Sequence, residues 1–128
     1  MTYPGLKLKV LPERYGIYCL HPDSEIPKEL LFAKIVSITR TSKELTLVCE
    51  EGKISEYEQK EVGWRCLKVD SSFNFDAIGV IASIAAPLVD IGVSIYVVST
   101  FDTDYILLKD DRLKESVECL TRKNHQIE

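Results

Sequence analysis

Apolar and polar positions alternate along this chain at two periods, and the changes of period mark its elements. In the second half, "GWRCLKVD" (63–70) reads as a strand. After the linker "SSFN", Ile78, Ile81, Ala82, Ala85, Leu88 and Val89 fall at helical spacing, which predicts a helix. Asp76 suits its N-cap, Phe75 and Val80 suit a hydrophobic staple, and Gly92 suits the residue after the last turn. Pro87 interrupts the pattern. It cannot donate to the carbonyl of Ser83, so a kink or a break into two helices is expected. "VSIYVVS" (93–99) is nearly all apolar and β-branched, as a strand buried on both faces would be, and "YILLK" (105–109) is its hairpin partner. Asp110 or Asp111 can open a second helix with a stripe of Leu113, Val117 and Leu120, while Lys114, Glu115 and Glu118 lie outside it. Asn124 ends that helix, and "HQIE" is long enough for a last short strand. The order is βαββαβ, a ferredoxin-like unit.

The first half repeats part of this pattern. "SITRTSKELTLVCEE" (37–51) aligns without gaps to "VVSTFDTDYILLKDD" (97–111), so that Thr39, Thr41, Ser42 and Glu44 face Ser99, Phe101, Asp102 and Asp104. Strands are expected near 6–11 and 14–20, a short helix near 25–31 and a weaker helix near 54–61. The fold class is therefore α+β, with two ferredoxin-like modules at 1–62 and 63–128. Residues 64–70 can finish the first module or open the second, and 6–11 can be exchanged to fill the vacancy that results.

Composition narrows the function. The 128 residues are 45% hydrophobic and 28% charged, enough apolar surface for an ordinary core. A net charge of −4, with no cluster of Lys or Arg, argues against nonspecific nucleic-acid binding. "MTYPGLKLKV" lacks the pattern of a secretion signal, and "AIGVIASIAAPLV" is too short to cross a bilayer, so no membrane association and a cytoplasmic, reducing setting are expected. Cys19, Cys49, Cys66 and Cys119 are then thiols; they form no CxxC pattern, and only His21 and His125 are available to join them, so no metal is expected. There is no P-loop, no GxSxG and no HExxH, and a His21–Asp23 pair on a loop is a thin basis for catalysis. No cofactor and no enzyme activity are expected.

The stretch "STFDTD" holds the remaining chemistry. Asp102 can hold a turn as an Asx residue, and Ser99 and Thr100 can satisfy strand ends. Asp104 abuts the strand "YILL", where a carboxylate adds little to a turn and is free to meet a ligand.

"LPERYGIYCL", "GWRCLKVD" and "FDAIGVIASIAAPLVDIGVSIYVVSTFDTDYILL" together resemble the ACT family, most closely small proteins of two ACT modules related to the ACT repeats of cytosolic arginine sensors. The resemblance implies a non-catalytic regulatory protein that binds an amino acid between modules. Its site would pair the helix start, Phe75, Asp76, Ala77, Ile78 and Gly79, with a hairpin carrying Ser99, Thr100, Asp102 and Asp104. The helix N-terminus would take the ligand's carboxylate, and Asp102 or Asp104 its ammonium. A homodimer is implied too, and the alternative is an assembly module that binds nothing small. The first hairpin has Arg40 and Glu44 where the second has Thr100 and Asp104, which argues against two equivalent sites.

Overall fold

The computed structural model describes residues 5–70 and 78–128. The chain folds as an α+β protein of two compact units. Glu13–Trp64 forms the smaller one, and Met1–Pro12 joins Arg65–Glu128 to form the larger. Compactness thus groups the first strand with the second half of the chain. No helix among the described residues is long and apolar enough to cross a membrane, which leaves strand-built membrane proteins unaddressed.

In the larger unit, strands β1 (Lys7–Val10), β5 (Gln59–Val69), β6 (Ile95–Ser99), β7 (Asp104–Lys109) and β8 (Gln126–Ile127) accompany helices α1 (Val80–Asp90) and α2 (Leu113–Arg122). Their strand order is β6-β7-β5-β1-β8, in which β5 supplies its second half. A ferredoxin-like unit would place its last strand directly beside its first. Here β1 stands between them, antiparallel to β5 through Leu8–Val69 and Val10–Leu67 and parallel to β8. The strand at 6–11 does join the second half of the chain, but as an added strand rather than one filling a vacancy, because β5 itself serves both units. Alternation places Leu6 and Leu8 inside with Lys7 and Lys9 outside. The two helices cover one face: Val80, Ile84 and Leu88 of α1 and Leu120 of α2 pack with Leu67, Val69, Ile106 and Leu108 of the sheet.

Pro87 does not divide α1, which runs unbroken from Val80 to Asp90. The reason is a substitute donor. His125 is 4% exposed, and its Nε2 stands 3.1 Å from the Ser83 carbonyl that Pro87 cannot reach with an N–H. Its Nδ1 accepts the backbone N–H of Leu6 at 3.1 Å, which fixes the proton on Nε2 and makes that nitrogen the donor to Ser83. The far end of α1 is capped by another residue distant in sequence. Arg112 donates to the carbonyls of Ile91 and Gly92 at 2.9 and 3.1 Å, where a cation also suits the helix dipole. Glu115, paired with Arg112, is held below the usual glutamate range by that hydrogen bond.

The smaller unit contains β2 (Tyr15–Leu20), β3 (Ser37–Arg40), β4 (Leu45–Glu50) and the first half of β5. Its order is β3-β4-β2-β5, and every neighbouring pair is antiparallel, which is the ferredoxin-like arrangement. Its helices are reduced. The segment expected as a helix at 25–31 is a five-residue 3-10 helix, Lys28–Phe32, anchored by buried Leu30. The expected helix at 54–61 does not form: residues 54–57 are irregular and β5 begins at Gln59. "SEYEQKEV" lacks an apolar stripe at helical spacing. The strand expected at 63–70 is therefore an eleven-residue strand over 59–69 that passes from one unit into the other. Leu20, Leu30, Leu45, Leu47, Cys49 and Ile54 form the core of the smaller unit.

One strand reading needs correction. "VSIYVVS" is not buried on both faces; among the described residues β6 pairs with β7 alone, and Ile95–Val98 are half-buried. An unbroken apolar run does not by itself distinguish a central strand from an apolar edge.

Candidate functional site

The β6–β7 ladder brings part of the expected site together. Ser99 and Asp104 are cross-strand partners in the last rung before the turn, and Ser99 Oγ donates to Asp104 Oδ1 at 2.6 Å. Asp104 is 8% exposed. Strand alternation places it on the same face as Ile106 and Leu108, both core residues under the helices, so the carboxylate ends an apolar stripe.

Thr100 organises the turn. Its N–H donates to the Thr103 carbonyl at 2.8 Å, and its Oγ1 accepts the N–H groups of Asp102 and Thr103 at 3.2 and 3.1 Å. This hydroxyl-centred turn does what an Asx residue at 102 was expected to do, and Asp102 itself is exposed at the tip. Thr103 was not singled out from sequence, yet it positions the site. It is 4% exposed, and its Oγ1 donates to the Val69 carbonyl at 2.7 Å, joining the hairpin to the end of β5. Nothing in a loop threonine signals such a bond before the strands are paired.

Of the implied helix-start residues, Phe75, Asp76 and Ala77 lie outside the described residues. Ile78 is exposed, and Gly79 occupies the N-cap of α1 at φ 85°, a left-handed conformation that glycine adopts without strain. Helix α1 thus begins at Val80, later than an Asp76 cap would set, and no side chain caps it. Among the described residues, no side chain is seen to accept from its first-turn N–H groups.

The two hairpins match more closely in space than in sequence, with a different offset. Arg40 pairs with Leu45 before a four-residue turn, as Ser99 pairs with Asp104. Thr41 repeats the role of Thr100: its N–H donates to the Glu44 carbonyl at 2.9 Å, and its Oγ1 accepts the N–H groups of Lys43 and Glu44 at 3.1 and 3.2 Å. The gapless sequence alignment is therefore out by one residue. Asp104 corresponds to Leu45, which is 0% exposed, and not to Glu44. The smaller unit holds a core leucine where the larger holds a carboxylate, so the two hairpins are not equivalent chemically.

Among the described residues, no group of three or more His, Cys, Asp and Glu side chains is placed to hold a metal ion. None of the four cysteines is in a disulfide, and burial pushes the Cys49 thiol up to about 11.

Comparison with known proteins fits this geometry. The cytosolic arginine sensor for mTORC1 subunit 1 is 34% identical over 65 residues in both Rattus norvegicus and Homo sapiens, half of this chain. The chain spans only 20% of the length of those relatives. The crystal structure of protein Atu0741 from Agrobacterium tumefaciens superposes with a TM-score of 0.91 at 36% identity, covering 98% of this chain and 94% of that one. The ligand-free regulatory subunit of aspartate kinase from Thermus thermophilus shares the fold alone, with a TM-score of 0.65 at 7% identity over 91% of this chain and 96% of that one. An N-terminal-domain family model matches residues 13–57, within the smaller unit. The ACT domain model matches residues 59–122, from the start of β5 to the end of α2, and on that match the chain belongs to the ACT domain family.

Proposed function

We propose that this chain is a non-catalytic regulatory protein that binds a free amino acid through Asp104. The observation that carries the reading is the carboxylate itself. It is 8% exposed at a position where the matching hairpin holds a fully buried leucine, and Ser99 gives it one hydroxyl donor. Burying a carboxylate is costly unless it is paired, so a cationic partner for Asp104 has a physical rationale. A ligand ammonium fits: charge-assisted hydrogen bonds of this kind are worth about 1.5–3 kcal/mol each. The first turn of α1, without a side-chain cap among the described residues, supplies the complementary donors for a carboxylate, with Gly79 allowing close approach; Phe75, Asp76, Ala77 and Ile78 precede it in the sequence. Ser99 and Thr100 hold the hairpin, and Asp102 borders the site. Arginine is the first amino acid to test, because a relative that matches half of this chain is named an arginine sensor.

A second copy of the chain is the expected partner, acting in the cytoplasm. The β6 edge supports this, since among the described residues β7 is the strand it pairs with, and Ile95, Val97 and Val98 on it are apolar and half-buried. A pure assembly module is the rival reading, favoured by the same edge.

Thermal denaturation of the full chain against the twenty amino acids, with Asp104→Asn alongside, separates them. A rise of several degrees with one or two amino acids, absent in the variant, is expected of a sensor. A flat panel, with a midpoint that rises only with protein concentration, would establish the assembly module.

A further inference from the structure

The helix-poor connections of the smaller unit leave a groove. In the larger unit α1 and α2 cover their face of the sheet, whereas here the β2–β3 connection has only the 3-10 helix Lys28–Phe32 and the β4–β5 connection has no helix. Between these two straps lies an open cavity of about 640 Å³ bounded by residues 20–29 and 54–58. Leu20, Ile26, Ile54 and Tyr57 give it an apolar wall. Glu25, Glu29, Glu56 and Glu58 stand round that wall, against Lys28 and His21 as the basic side chains of the lining. Beyond the groove the same 3-10 helix exposes Leu31 by 77% and Phe32 by 85%.

We propose that this groove docks a segment of a partner protein that carries apolar anchors flanked by Lys or Arg. Charge decides the class of occupant: four carboxylates outnumber the basic groups of the lining, so a basic segment is attracted and an acidic one repelled. The apolar wall, with exposed Leu31 and Phe32 on the same 3-10 helix, gives such a segment contact area beyond the reach of a small cation. This surface lies wholly within the smaller unit and is independent of the Asp104 site. It supplies a regulatory chain with a means of contacting what it regulates.

The test is fluorescence anisotropy with a short labelled peptide of alternating arginine and leucine, against a glutamate–leucine counterpart, at about 0.15 M salt. The full chain is compared with the double variant Glu25→Lys/Glu56→Lys and with Glu118→Lys/Glu128→Lys, which changes net charge equally at exposed positions of the larger unit. The arginine peptide is expected to bind and the glutamate peptide to fail. The groove double should weaken binding at least tenfold, the remote double by less than twofold, and Phe32→Ser, at an exposed position, by several-fold. Backbone amide shifts on titration should fall in 21–32 and 54–58, with Asp104→Asn indistinguishable from the unaltered chain. Equal weakening by both doubles would reduce the attraction to net charge and overturn the proposal. Absence of binding, shifts outside the groove, or closure of the groove by a second copy as protein concentration rises would overturn it as well.

Discussion

Replacing His125 by alanine tests the most unusual piece of packing in the larger unit. The imidazole links three stretches: it accepts from the N–H of Leu6 before β1, donates to the Ser83 carbonyl inside α1, and follows the turn at Asn124. Its removal leaves a buried N–H and a buried carbonyl without those partners. Each such loss costs about 1–3 kcal/mol, so His125→Ala should destabilise the unit by about 2–6 kcal/mol. The distinctive prediction lies in a double-mutant cycle with Pro87→Ala. An alanine at 87 restores an N–H that can reach the Ser83 carbonyl along the helix, removing half of what His125 supplies. In that background His125→Ala should cost about 1–2 kcal/mol less than it does alone, a coupling above the roughly 0.5 kcal/mol scatter of independent sites. Urea denaturation of the four proteins, followed by far-ultraviolet circular dichroism, measures it. Additive costs would refute the idea that the histidine stands in for the missing proline donor.

Other outcomes follow from single contacts. Asp104→Leu installs the residue that the matching hairpin uses at Leu45, and should raise the stability of the free protein by about 1–3 kcal/mol while abolishing any amino-acid response; a loss of stability in urea would contradict the equivalence of the two hairpins. Thr103→Val keeps the side-chain shape but removes the hydroxyl bond to Val69, and should cost about 1–3 kcal/mol, with faster amide exchange through the 100–103 turn. Cys49 ionises at about 11 in the native state, against an ordinary value of 9.0, because burial disfavours the thiolate. The native state therefore holds a proton that the unfolded chain has lost, and stability should fall as pH rises from 9 towards 11. Cys49→Val should flatten that alkaline limb, and native Cys49 should resist iodoacetamide at pH 8.

Local chemistry explains why much of the fold was legible. The stripe Leu113, Val117 and Leu120 predicted α2, and the alternation of Leu6 and Leu8 with Lys7 and Lys9 predicted β1 with its faces correctly assigned. The misreadings fall where identity depends on partners far along the chain. Pro87 argued for a broken helix because the sequence does not show that His125, 38 residues on, occupies the vacant acceptor. The pattern of 54–61 favours a weak helix, whereas Gln59 onwards is recruited into β5 by pairing with β2. The repeat was visible as a strand–turn–strand pattern, but its offset was not, since a gapless alignment has no access to which rung closes each turn.

By itself, then, the sequence determined the α+β class, the repeated hairpin, the ACT resemblance and a conspicuous run of polar residues at 99–104. Those are properties of period, composition and local motif, which short stretches carry alone. Tertiary structure decided that β1 enters between β5 and β8, that Thr100 and not Asp102 makes the turn, and that Asp104 takes a core leucine's place. Burial and register are relations between distant segments: a carboxylate becomes unusual only when the strand beside it and the matching leucine show that the position belongs inside.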